Sequence, residues 1–440
     1  MKNKNNFRAG LAVGLLSLLF LIKTTPTVAQ PLTFELITLP NGLKIFYQQD
    51  PGVKFSTVVF HLAGGQSLEK TGESGLAYLA TRLIAEVSDE DRLSGLLASG
   101  VNLSAGSRAD FSVIRFEAPS QHLGRTLEIV TSGLKKPLFS GPRIDNVRKT
   151  MKLEARKEAC RLVEAALVCL RRQIFPDSPY GQFLYGREND LASLGKKDIS
   201  RFYESVLNSG QLSLLVVSDL DKKSVQELMA QYLSWVKKSE PAERKIYPVA
   251  EKKQDSTADS NCDYYQGPAG AAVVLAYVLP GELKDIYPAA YLLEKIVGEG
   301  PGSIIWSLRQ EGGLAYNLNS RLEVIGGRAI FVCYMETDPE KARPGLSSLE
   351  ATFNHLGQEG LDTEIITSGK TLSRNSYLRQ SLERDNRLGF FSLLLANNLS
   401  LDFYNRFLEL LEAVSPERLN ELVRSTFSPD RAYEVLVVRE

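Results

Sequence analysis

The chain is poor in histidine. Its 440 residues contain three, His61, His122 and His355, and no two are four apart, the step that sets two imidazole ligands on one helix face. A histidine-based zinc site is therefore not expected in this chain. Nucleophilic triad chemistry is equally unsupported, because no Gly-x-Ser-x-Gly elbow occurs. Cysteine is sparse as well: Cys160, Cys169, Cys262 and Cys333 are too few for a disulfide scaffold and lack metal-knuckle spacing. They are read as structural or free thiols. On one continuous helix Cys160 and Cys169 would stand about 13 Å apart, beyond disulfide reach. Excess charge of either sign is missing too. With 52 basic and 52 acidic residues, nothing points to nucleic acid as a partner.

What is present begins with an export-like segment. Lys2, Lys4 and Arg8 precede a 14-residue apolar run, Ala9 to Ile22, and Thr27 and Ala29 supply small residues before a plausible cut. Such a run is short for a bilayer span, so residues 1–29 read as a cleaved signal peptide, with an uncleaved anchor as the alternative. The expected mature protein is exported, periplasmic in a bacterium and otherwise secreted, with no membrane span. It would carry 48 basic against 52 acidic residues.

The remaining chain reads as one programme written twice. Residues 30–236 start with a strand pair around the turn Pro40-Asn41-Gly42. The strand STVVFHLAGG follows, then a helix from about Gly75 to Val87. Long helical patterns cover 121–137 and 142–174, and a further helix leads into LSLLVVSD. The polar stretch 237–261 reads as a linker. Residues 262–440 then restart the pattern: AAVVLAYVLPG echoes STVVFHLAGG, and DIYPAAYLLEKIVG echoes the helix after Gly75. The step from Gly100 to Ser107-Arg108 returns from Gly313 to Ser320-Arg321, and AYEVLVVRE echoes LSLLVVSD. Grouped strands and long helices predict an α+β fold: two similar tandem domains, each a mainly antiparallel sheet packed with helices, facing each other as a clam-like chamber. Gly298, Gly300 and Gly302 look like a phosphate cradle, but they follow a helix and lack the P-loop Lys, so a helix–loop–helix connection is expected.

The strand, Gly-Gly loop and GLA-initiated helix, with FPDSPYG (Phe175–Gly181) and GGLAYNLNSR in the second half, resemble the pitrilysin/insulinase metallopeptidases, the inverzincins. The nearest resemblance is to the short two-domain branch that includes mitochondrial processing peptidase and bacterial heterodimeric relatives. In that family the first helix carries His-x-x-Glu-His, two zinc ligands around a general base. Aligned on Gly-Leu-Ala, those positions here are Tyr78, Thr81 and Arg82. A phenol is a poor substitute for imidazole, a hydroxyl is no base near neutrality, and a guanidinium repels the metal. Glu154 or Glu158 falls where the family has its third ligand, and each is read here as a solvated helix-face charge. No metal or other cofactor is expected in this chain.

The second half differs. The resemblance implies that an Arg and a Tyr seven residues apart reach the substrate, and Arg309 and Tyr316 stand at that spacing within LRQEGGLAY. A phenol O–H can donate to the oxyanion of peptide hydrolysis, and a guanidinium fork can hold substrate carbonyls. The combined expectation is a zinc-less subunit that supplies Arg309 and Tyr316 in trans to a homologous zinc-bearing partner acting on peptides. The alternative is a noncatalytic peptide-binding or scaffold protein of the same fold.

Overall fold

A computed structural model describes residues 33–250 and 266–439, except Ser88, Arg244, Glu299, Pro301, Glu311 and Gly312; for Arg309 and Gln310 it describes the backbone alone. The chain divides into Met1–Pro31 and Leu32–Glu440, and every described strand and helix belongs to the second unit. The signal-like segment and residues 251–261 of the linker lie outside the described residues.

The first half holds a six-stranded sheet of β1 (Glu35–Thr38), β2 (Lys44–Gln49), β3 (Phe55–Ala63), β4 (Asn102–Ser107), β5 (Phe111–Pro119) and β6 (Leu212–Ser218). The second half holds four strands, β7 (Gly270–Val278), β8 (Asn317–Ile325), β9 (Arg328–Thr337) and β10 (Tyr433–Arg439). Their orders are β1-β2-β6-β3-β5-β4 and β10-β7-β9-β8, so the module β6-β3-β5-β4 recurs in the second sheet in the same order. All pairings are antiparallel except β2 with β6. Turn chemistry fixes the hairpins. Gly42 takes φ +82 and its N–H donates to Leu39, closing β1 on β2. Ile325 pairs with Arg328 across Gly326 and Gly327, both at positive φ, the two-residue hairpin that glycine permits.

Both sheets are buried on both faces, which explains why STVVFHLAGG and AAVVLAYVL are apolar without alternation. Along β3, Val58, Phe60 and Leu62 enter the first half's own core, while Val59 enters a core shared with the second half. Along β7, Val273 and Leu275 face one core and Ala272 and Val274 another.

The covers are exchanged. Helix Leu162–Ile174 of the first half packs on β7 and β10 through Ala166, Leu167 and Leu170. Helix Arg384–Ala396 of the second half packs on β3 and β5. There Phe391 meets Phe34 and Phe46, each with centroids 4.9 Å apart. His61 is buried on this face; its Nε2–H donates to the Ser392 carbonyl at 3.1 Å, and burial lowers its pKa to about 4. Charge completes the seam. Arg387, 4% exposed, donates to Gln48 and Asp50 at 2.8 Å each and caps the Ser381 carbonyl, while Arg384 reaches Asp50 at 3.1 Å.

Two expectations need correction. The helical pattern 142–174 is two helices, Gly141–Ala159 and Leu162–Ile174, separated at Cys160 and Arg161. Cys160 therefore ends one helix and Cys169 lies on the next. Nor are all the thiols free: Cys169 is disulfide-bonded, whereas Cys160 and Cys333 are free. The described end of the linker is docked. Tyr247 is 4% exposed, its O–H donates to Ser67, and the Ala250 N–H donates to Ile174.

Removing Arg387 would leave Asp50 and Gln48 short of a buried donor, and breaking such a pair costs about 3 kcal/mol. Arg387→Ala is expected to lower the urea midpoint accordingly, measured by far-UV circular dichroism.

Candidate functional site

The helix Leu76–Ala85 is set by its entry. Gly75 adopts φ +89, and a Cβ there would stand 2.9 Å from Gly186 Cα. The Glu69 carboxylate group accepts from the N–H groups of Gly75 and Ala77 at 3.1 and 3.0 Å, satisfying donors that a helix start leaves open. Glu69 is 5% exposed, its Oε2 has no partner, and burial pushes its pKa up to about 8 despite those bonds.

On this frame the three motif positions diverge. Tyr78 is half-buried with its ring edge-on to Tyr185, centroids 4.7 Å apart. Thr81 is fully buried and its hydroxyl donates to the Ala77 carbonyl at 2.7 Å, back along its own helix. Arg82 faces a cavity of about 480 Å³ beside Glu86, Leu93 and Leu97. These residues do not fit zinc: one oxygen is committed to the helix and one position carries a fixed cation. Among the described residues no group of three His, Cys, Asp or Glu side chains is placed to hold a metal ion.

The two carboxylates downstream separate. Glu154 pairs with Lys157 at 2.7 Å, as a solvated helix face would. Glu158 does not fit that reading. It is half-buried, its Oε2 is unpartnered, and burial, reinforced by the charge of Glu164, pushes its pKa up to about 7. Tyr185 lies within electrostatic reach of both Tyr78 and Glu158.

Arg309 falls in the short helix Trp306–Gln310, described by its backbone. The loop from Gly298 to this helix is a helix–loop–helix connection, as expected. Tyr316 immediately precedes β8, the outer edge of the second sheet, and is 67% exposed. Its O–H donates to Asp338 at 2.5 Å, and that bond raises the phenol pKa, so Tyr316 stays a neutral donor at physiological pH. Asp338 is shared with Lys341 at 3.0 Å. Among the described residues no hydrogen bond or ring contact joins Tyr316 to Tyr78, Thr81 or Arg82.

Between the halves lies a cavity of about 590 Å³, lined from the first half by the tip joining β4 to β5 and by the two helices around Arg161, and from the second half by β8. Asp110 at that tip accepts from the Tyr180 O–H at 2.7 Å and the Gly326 N–H at 2.8 Å, linking the halves. Arg171 holds Glu323 through two nitrogens at 3.2 and 3.0 Å, and Arg321 joins the same carboxylate. Against the effect of burial, these two cations hold Glu323 down to about 2. Sequence reading missed this lining. Its members lie far apart in the chain; Arg108 and Arg321 of the repeated Ser-Arg step, and Glu158, were visible one by one, but nothing local brought them together.

This fold is that of the M16 peptidases. The chain superposes on the peptidase M16 inactive domain from Pseudomonas fluorescens with a TM-score of 0.80 at 18% identity, over 93% of this chain and 99% of that one. A protease from Helicobacter pylori matches with a TM-score of 0.80 at 17% identity, over 93% of this chain and 100% of that one. The family described as "Peptidase M16 inactive domain" matches residues 193–372. Mitochondrial-processing peptidase subunit beta of Lentinula edodes is 20% identical over 214 residues, which span 48% of this chain and 46% of that protein, less than half its length. Residues 193–372 thus match the M16 inactive-domain model and the M16 fold extends over most of the chain, while no His-x-x-Glu-His motif occurs in the sequence.

The raised pKa of Glu69 has a measurable sign. Between the usual carboxyl value and about 8 the folded state holds a proton that the unfolded state has released, so stability falls as pH rises through that window. Glu69→Gln keeps the acceptor oxygen for Gly75 and Ala77 without the ionisation. Thermal melts between pH 5 and 8 are expected to show a shallower decline in the variant.

Proposed function

We propose that this chain is the zinc-less subunit of a heterodimeric M16 metallopeptidase, presenting Arg309 and Tyr316 to the active site of a homologous zinc-bearing partner. The carrying observation is the contrast between the halves. The first-half helix keeps its packing and loses all three chemical positions, while the second half keeps Arg309 and Tyr316 at the family spacing. Tyr316 suits a role in trans: it is exposed, neutral and next to an edge strand, where a second chain could reach it. In that role the phenol donates to the oxyanion formed when the partner's water attacks a peptide carbonyl, and Arg309 holds the substrate backbone. Zinc chemistry would belong wholly to the partner. That a relative is named as the beta subunit of a processing peptidase supports a subunit role. The basic-then-apolar segment before residue 30 and the disulfide at Cys169 favour an oxidising, exported location.

A second reading, a noncatalytic peptide-binding or scaffold protein, is favoured by one observation: the Tyr316 hydroxyl is already donated to Asp338. One experiment separates the two. With the zinc-bearing partner co-expressed, peptide cleavage is expected only from the pair, and Tyr316→Phe is expected to reduce kcat by about 10²–10³, the cost of one oxyanion donor. Zinc-dependent cleavage by the purified single chain would overturn the division of labour. Unchanged activity in both Tyr316→Phe and Arg309→Ala would favour the scaffold.

A further inference from the structure

The cavity between the halves is lined by four guanidinium groups, and they are not equally engaged. Arg171 and Arg321 share the single carboxylate of Glu323, leaving that triad one positive charge in surplus, and Arg321 Nε is buried without a partner. Asp110, another carboxylate of the lining, has its oxygens hydrogen-bonded to Tyr180 and Gly326. Arg108 and Arg161 are exposed to the cavity, and among the described residues neither side chain makes a hydrogen bond or ion pair. The remaining carboxylates are Glu164 and Glu158. Glu158 has a pKa near 7, raised by burial and by Glu164 and Glu154, and opposed by Arg171 and Arg161. As pH falls from 8 to 6 Glu158 takes up a proton and the cavity gains positive charge.

We propose that this cavity is a carboxylate-recognising subsite for a bound peptide, with Arg108 and Arg161 as the guanidinium groups that hold an acidic side chain or a free C-terminus. The proposal rests on the reading that this chain handles peptides, and it assigns the class of peptide. Its volume of about 590 Å³ lies within the range of ligand cavities. Guanidinium groups bind carboxylates in a fixed fork, and such charge-assisted bonds are stronger than neutral ones. Because the lining comes from both halves, an occupant would touch the β4–β5 tip and β8 together. The two available cations stand on the first-half side.

The test uses the purified full chain without a partner, so it does not depend on peptide cleavage. Calorimetry compares three capped pentapeptides: Ac-Ala-Ala-Glu-Ala-Ala-NH2, its Gln counterpart, and the Gln peptide with a free C-terminus. At pH 6 at least one carboxylate peptide is expected to bind about tenfold or more tightly than the amidated Gln peptide. A preference for the Glu peptide identifies the side chain as the ligand, and one for the free C-terminus identifies the chain end. Arg108→Ala and Arg161→Ala are each expected to remove most of that preference. Both residues are exposed, so unchanged thermal midpoints separate lost recognition from lost folding. Wild-type preference is expected to weaken at pH 8, and Glu158→Gln is expected to retain it there. Equal affinity for all three peptides, or a preference untouched by both arginine variants, would overturn the proposal. Failure of the trans-catalytic reading alone would leave this binding preference in place.

Discussion

Each half covers the other's sheet, and the remaining architecture depends on that exchange. Helix Leu162–Ile174 lies on β7 and β10, and helix Arg384–Ala396 lies on β3 and β5. A sheet apolar on both faces cannot be left open to water, so neither half could shed its apolar surface alone. The two arginines on Asp50 and the buried His61 satisfy the polar groups that this seam encloses. Because the seam is fixed by packing and by ions together, the cavity beside it keeps lining residues from both halves in register.

The same constraint accounts for the fate of the first-half helix. Leu76, Leu79, Ala80 and Leu83 are core residues, and Glu69 holds the helix entry, so the element is needed whether or not it carries a metal. Each of the three positions aligned with the motif answers to its own surroundings. Thr81 bonds to its own backbone, Tyr78 packs on Tyr185, and Arg82 reaches a separate cavity. The second half faces no such demand at Tyr316, which is exposed and held by a single carboxylate. Exposure at Tyr316 costs no core packing, so packing does not dictate the residue there.

Much of the fold could be read locally. The duplicated strand and helix patterns anticipated the repeated four-strand order, and Pro40-Asn41-Gly42 anticipated the first hairpin. The misreadings share a cause. Cys160 and Arg161 have no helix-breaking side chains, so nothing local announced the break between two helices with different partners, the first packing on helix Leu76–Ala85 and the second on β7 and β10. Glu158 carries the pattern of a solvated charge, and only burial in the folded chain removes the water. The pairing of Cys169 depends likewise on proximity that spacing does not encode.

The sequence by itself determined the duplicated pattern, the absence of a His-x-x-Glu-His motif and the seven-residue step from Arg309 to Tyr316, because periodicity and residue chemistry are local properties. Tertiary structure alone decided which helix covers which sheet, which thiol is oxidised, and which of the cavity's arginines are engaged by carboxylates. Those outcomes depend on distances between residues more than 100 positions apart, such as Arg171 and Glu323 or Asp50 and Arg387. Such distances are set by how the two apolar sheets share their covers.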